Sequence, residues 1–92
     1  MHFHYILLYK LLMKTITYTA SAALQLRKLP GNVRERLIEK LHRYAKTGAG
    51  NVKALTGEPG TRLRVGDYRI IFVETATGIS VRAIGHRREI YQ

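Results

Sequence analysis

Apolar and polar residues alternate most regularly in the last third of the chain. It reads Arg62-Leu-Arg-Val-Gly-Asp-Tyr-Arg-Ile-Ile-Phe-Val and then Ile79-Ser-Val-Arg-Ala-Ile-Gly-His86. A period of two marks strands with one buried face. Gly66-Asp67 suits a two-residue hairpin loop of type II′, with glycine first. That loop sets Val65 against Tyr68, Arg64 against Arg69, Leu63 against Ile70 and Arg62 against Ile71. A second loop at Thr77-Gly78 sets Ala76 against Ile79, Val73 against Arg82, Ile71 against Ile84 and Arg69 against His86. Side chains alternate across a strand, so Leu63, Val65, Tyr68, Ile70, Phe72, Val81 and Ala83 share the face expected to be core. The other face carries Arg62, Arg64, Arg69, Arg82 and His86, with Ile71, Val73 and Ile84 between them. Arg64, Arg69 and His86 are expected to form a row across three strands, and a slip of one residue in either turn would scatter it.

Upstream, Thr15-Ile-Thr-Tyr-Thr19 alternates and is rich in strand formers. Ala20 to Leu29 is helix-prone and is closed by Pro30-Gly31. Asn32 with Glu35 resembles a capping box, opening a helix whose apolar stripe is Val33, Leu37, Ile38, Leu41, Tyr44 and Ala45, with Gly48 as its C′ residue. Arg34, Arg36, Lys40, Arg43 and Lys46 lie mostly off the stripe and read as a solvated face. Residues 49–61 read as a Gly/Pro-containing connection around Leu55. The expected fold is α+β: an N-terminal strand, a helical hairpin and a small antiparallel sheet, in the order β-α-α-β-β-β. Residues 13–92 read as one domain. Residues 1–12 read as an upstream extension, a cloning artefact or an extra strand: they are apolar but too short to span a membrane, and Lys10 and the absence of a basic leading segment argue against a signal peptide.

Composition sharpens this. Sixteen Lys and Arg against six Asp and Glu give the 92-residue chain a formal net charge of +10, pointing to nucleic acid, an acidic protein or an anionic surface as partner. At 46% hydrophobic residues the chain is a folded domain and no charged tail. It has no cysteine, which excludes disulfides and thiolate metal sites and fits a cytoplasmic location. All six cations after Lys53 are arginines, the side chain that grips phosphate with a two-pronged fork. No cofactor motif is present, and six scattered acids offer no paired carboxylates for metals, so neither cofactor nor metal is expected.

Cations gathered on one sheet face do nothing for fold stability, since like charges directly opposite destabilise a strand pair; a polyanion seated there explains them. Cleaving RNA without a metal requires activation of a 2′-hydroxyl, stabilisation of charge at phosphorus, and a proton for the leaving oxygen. Arginine supplies the second and cannot act as base, its pKa lying above about 12. His86 belongs to the residue type that titrates nearest neutral pH, and Tyr91 offers an acidic hydroxyl or a stacking ring. Each alone reads equally well as structural: Tyr91 as a C-terminal anchor, Glu89 as a partner of Arg87 or Arg88. Together with Arg64 and Arg69 they make a candidate cleft.

Leu55-Thr-Gly-Glu-Pro-Gly, Arg62-Leu-Arg-Val-Gly-Asp-Tyr-Arg-Ile-Ile-Phe and Ile84-Gly-His-Arg-Arg-Glu-Ile-Tyr91 resemble the RelE/ParE superfamily of type II toxins over about residues 13–92. The RelE branch implies a ribosome-dependent mRNA endoribonuclease that leaves a 2′,3′-cyclic phosphate and a 5′-hydroxyl, inhibits translation and is neutralised by a cognate antitoxin. In that family the toxin–antitoxin complex binds operator DNA and no membrane is involved. The resemblance implies Arg69, His86, Arg87 and Tyr91 as catalytic residues and Arg62, Arg64, Arg82 and Arg88 as contacts to RNA phosphate. Thr56 stands where some members have arginine. The ParE branch shares the fold but poisons DNA gyrase and generally lacks the His-Arg-Tyr set, whose presence here favours RelE. An inactive relic that only binds antitoxin is the third reading, and intact Arg69, Arg87 and Tyr91 argue against it.

Overall fold

The computed structural model describes residues 14–90, so the expected extension at residues 1–12 and the candidate Tyr91 lie outside the described residues. Strand β1 (Thr15–Tyr18) leads into helix α1 (Ala20–Arg27) and helix α2 (Gly31–Thr47). Four strands follow: β2 (Asn51–Ala54), β3 (Thr61–Val65), β4 (Tyr68–Glu74) and β5 (Gly78–His86). They form one sheet in the order β1-β5-β4-β3-β2. The α+β class and the helical hairpin are as the sequence predicts. Two features differ: β1 runs parallel to β5, and residues 49–61 contain the extra strand β2, an edge strand exposed along its whole length.

Local chemistry explains the helix ends. Thr19 Oγ1 accepts a hydrogen bond from the Ala22 amide at 3.1 Å and caps α1. The Asn32 capping box is not formed. Helix α2 begins earlier, at Gly31 behind Pro30, whose carbonyl already accepts the Arg34 amide at 2.9 Å. Gly48 closes α2 in the left-handed conformation (φ 75°), as the sequence predicts.

The core lies between the helices and one sheet face: Ala22, Leu37, Leu41 and Ala45 pack on Leu63, Val65, Ile70, Phe72, Ile79, Val81 and Ile84. Helix α2, strand β4 and the residue before β1 meet in a polar clamp at its rim. Tyr44 donates to Glu74 Oε1 at 2.6 Å, and Lys14 Nζ donates to Glu74 Oε2 at 2.5 Å. Burial, then the Glu74 hydrogen bond and charge, push the Tyr44 phenol up to about 12. Burial works to raise the Glu74 carboxyl, but the hydrogen bonds from Lys14 and Tyr44 and the charge of Lys14 prevail and hold it below its usual value.

The β3–β4 register is the expected one in every pair from Val65↔Tyr68 to Arg62↔Ile71. Gly66 has φ 59° and no non-glycine residue among those described has positive φ, the sign pattern of a type II′ loop. The β4–β5 register differs from expectation. Its turn is Thr75–Gly78, closed by the Thr75 amide on the Gly78 carbonyl at 2.8 Å and the Gly78 amide on Thr75 Oγ1 at 3.1 Å. Glu74 therefore faces Ile79 and Phe72 faces Val81; a bulge follows, and Ile71 faces Ala83, Ile70 faces Ile84, Arg69 faces Gly85 and Tyr68 faces His86. Arg82 is the bulged residue, unpaired with β4. The bulge reverses the alternation of β5, so Ile84 is buried in place of Ala83.

Candidate active site

The register divides the candidate residues between two faces. Arg62, Arg64 and Arg69 keep the open face away from the helices, where Arg64 and Arg69 stand directly opposite each other. His86 leaves that row. It pairs with Tyr68 and, like Ile84 and Ile70, belongs to the helix side. Residue 85, facing Arg69, is a glycine, so no β5 side chain stands across from that guanidinium. The expected three-strand row is thus an arginine pair, and the cause is the bulge at Arg82.

Arg69 is 7% exposed and is the only buried charged residue among those described. Its Nη1 donates to the carbonyls of Gly66 at 2.8 Å and Tyr68 at 2.9 Å, folding the side chain back on its own hairpin loop. Its Nε is buried without a hydrogen-bond partner. An enclosed guanidinium with a donor left over, facing a second arginine, is an unfavourable arrangement until an anion completes it.

The same loop holds Arg87. The Arg87 amide donates to the Asp67 carbonyl at 2.8 Å, and Arg87 Nε lies 3.8 Å from Asp67 Oδ1, an exposed pair. The Gly66-Asp67 loop is therefore an anchor for both arginines that resemblance assigns to catalysis. Asp67 carries no motif of its own; its only sequence signal is its place beside Arg69 in the loop.

On the helix side His86, Tyr68, Gln25, Lys28 and Glu89 line a cavity of about 380 Å³. The Tyr68 and His86 rings meet edge-on with centroids 5.7 Å apart. The Arg88 amide donates to His86 Nδ1 at 3.2 Å, so the neutral imidazole carries its proton on Nε2. Helix α1 supplies one wall, and its Gln25 Oε1 accepts the Ile84 amide at 2.8 Å where β5 runs past the end of β1. Arg82 and Arg88 have exposed side chains at the bulge and in the C-terminal turn. No three His, Cys, Asp or Glu converge among the described residues. No helix among them is long and apolar enough to cross a membrane.

Two helices layered on one face of a five-stranded sheet is the architecture of RelE-like toxins. The fold matches the RelB–RelE antitoxin–toxin complex of Methanococcus jannaschii (TM-score 0.66, 24% identity, 80% of this chain and 93% of that one). It matches the RelBE2 toxin–antitoxin complex of Mycobacterium tuberculosis (TM-score 0.72, 22% identity, 82% and 99%) and the intact RelBE complex of E. coli (TM-score 0.68, 21% identity, 79% and 95%). No curated protein sequence matches the chain. The family model described as ParE toxin of type II toxin–antitoxin system, parDE, matches residues 16–91. The chain belongs to that family, within the RelE/ParE superfamily, and is a toxin of a type II toxin–antitoxin system.

Proposed function

We propose that this toxin is a ribosome-dependent mRNA endoribonuclease. The observation that carries the reading is Arg69, enclosed, short of a hydrogen-bond acceptor and paired across β3–β4 with Arg64. A scissile phosphate on the open face would satisfy Arg69 and separate the two like charges. In the reaction the 2′-oxygen attacks phosphorus, loses its proton to a base and displaces the 5′-oxygen, which takes a proton from an acid; the products are a 2′,3′-cyclic phosphate and a 5′-hydroxyl. Arg69 and Arg87 offset the charge that develops on the phosphorane. Tyr91 is proposed for proton transfer, with Arg62, Arg64, Arg82 and Arg88 on flanking phosphates, while His86, turned to the helix side, does not reach a phosphate held at Arg69. The setting is the cytoplasm, where a cognate antitoxin with an acidic segment neutralises the chain and the pair binds operator DNA.

A second reading, DNA gyrase poisoning, is favoured by the ParE description of the matching family. Primer extension on mRNA after a pulse of expression, run beside a gyrase supercoiling assay, separates the two. Cuts at ribosome-engaged codons are expected, and Arg69→Ala should lower their rate about 10²–10³-fold in protein that is still folded. DNA breaks with intact mRNA would instead select the gyrase poison.

A further inference from the structure

Pairing between β2 and β3 ends at Asn51↔Arg64, so the last residue of β3, Val65, and the loop glycine after it have no strand neighbour on that edge. Helix α2 runs alongside and leaves a groove of about 360 Å³. Arg36, Lys40 and Arg43, spaced i, i+4, i+7 along one stripe of the helix, line one wall, and Arg64 lines the other. Leu63 and Val65 form the floor and are 1% and 5% exposed. No acid lines the groove. None of the four cationic side chains makes a hydrogen bond or ion pair with another described residue. A Cβ built at Gly66 would lie 3.4 Å from Arg36 Nη1, so the Arg36 guanidinium rests against the same hairpin loop that holds Arg69.

Four uncompensated cations converging on a cleft are more than a solvated helix face requires, since each repels the others and none is neutralised by the fold. We propose that this groove is a second phosphate-binding track, which takes the backbone of single-stranded RNA leading to or from the open face. Arg64 belongs to both surfaces, so a chain whose scissile phosphate sits at Arg69 is carried around the edge of β3 into the groove. An amphipathic acidic helix would find little to bury there, because the floor is already almost fully covered. The proposal rests on the RNA reading above and adds a path for the substrate to it.

The test is the salt dependence of binding to a fluorescein-labelled 2′-O-methyl oligouridylate, which lacks the attacking hydroxyl and so reports affinity alone. Lys40→Ala with Arg43→Ala removes two groove cations; Arg27→Ala with Lys46→Ala removes two cations from the helices outside the groove. All four side chains are exposed, and melting curves confirm that both double variants fold. At about 0.7 units of log K against log salt per phosphate contact, the groove pair should lower the slope by about 1.4 and the control pair by much less. Equal slopes in the two pairs overturn the track. If an oligoglutamate of equal charge discriminates between the pairs and the RNA does not, the occupant is an acidic polypeptide and the proposal is likewise overturned. Cleavage of ribosome-engaged mRNA by wild type and by Arg69→Ala is measured separately. Loss of that activity in wild type would sink the nuclease reading, while normal cleavage with equal slopes would sink the groove alone.

Discussion

His86 stands directly opposite Tyr68 at the end of the β4–β5 ladder, their ring centroids 5.7 Å apart and the planes close to perpendicular at 79°. The pairing takes the histidine off the arginine face, and the Arg88 amide on Nδ1 fixes its tautomer. Long-range ¹H–¹⁵N spectra above the imidazole's titration range should therefore report the Nε2–H form. A dominant Nδ1–H form would show that the Arg88 amide does not bind His86 Nδ1.

Arg69 holds its own loop as well as facing the open surface, so its removal acts twice. Arg69→Ala strips the donor from the Gly66 and Tyr68 carbonyls and should lower stability by about 1–3 kcal/mol, read from urea unfolding. Arg69→Lys keeps the charge but cannot reproduce the planar fork. It should regain part of the stability and little of the cleavage rate. Full recovery of cleavage would mean that charge alone suffices.

The clamp at Glu74 makes stability depend on pH at both extremes. The folded Glu74 carboxyl lies below its ordinary value of 4.5, so its contribution is complete above that value and is lost as pH falls through the depressed folded value. The Tyr44 phenol is raised from 10.0 to about 12, so its contribution is complete below pH 10.0 and is lost as pH rises through about 12. Tyr44→Phe keeps the ring, which packs 5.3 Å from Phe72, and removes only the hydroxyl bond. It should cost about 1.5–3 kcal/mol near neutral pH and flatten the alkaline limb of a melting-temperature profile. An unchanged alkaline limb would show that the phenol is not coupled to folding.

Gln25→Ala leaves the Ile84 amide without its acceptor at a nearly enclosed position. A loss of about 1–3 kcal/mol and faster hydrogen exchange at that one amide are expected, with the core strands β3 and β4 unaffected. If Ile84 exchange is unchanged, α1 does not seal this edge.

Local chemistry made the first hairpin readable and left the second obscure. Gly66 opens a two-residue loop whose backbone demands glycine, and four register pairs follow from it. The second turn depends on the Thr75 hydroxyl, and the bulge at Arg82 has no marker residue, so nothing near Thr77 announced either; the displaced His86 is the result. Strand β2 stayed hidden because Asn51–Ala54 is exposed on both faces and shows no alternation. The parallel pairing of β1 with β5 joins residues more than sixty positions apart, beyond the reach of any local pattern. Of the site, the Arg64–Arg69 pair was legible through the first hairpin. The groove cations were not, because Arg36, Lys40 and Arg43 on a helix look solvated until the free end of β3 is set beside them.

That parallel pairing also sets an order of events during synthesis. Strand β1 is made before both helices and the other described strands, yet its sheet neighbour among them is β5, the last of these to be made. Until β5 is made the helical hairpin has no completed sheet to rest on, and Arg69 waits without the Arg87 turn beside it. The sheet therefore closes only when the two ends of the described chain meet.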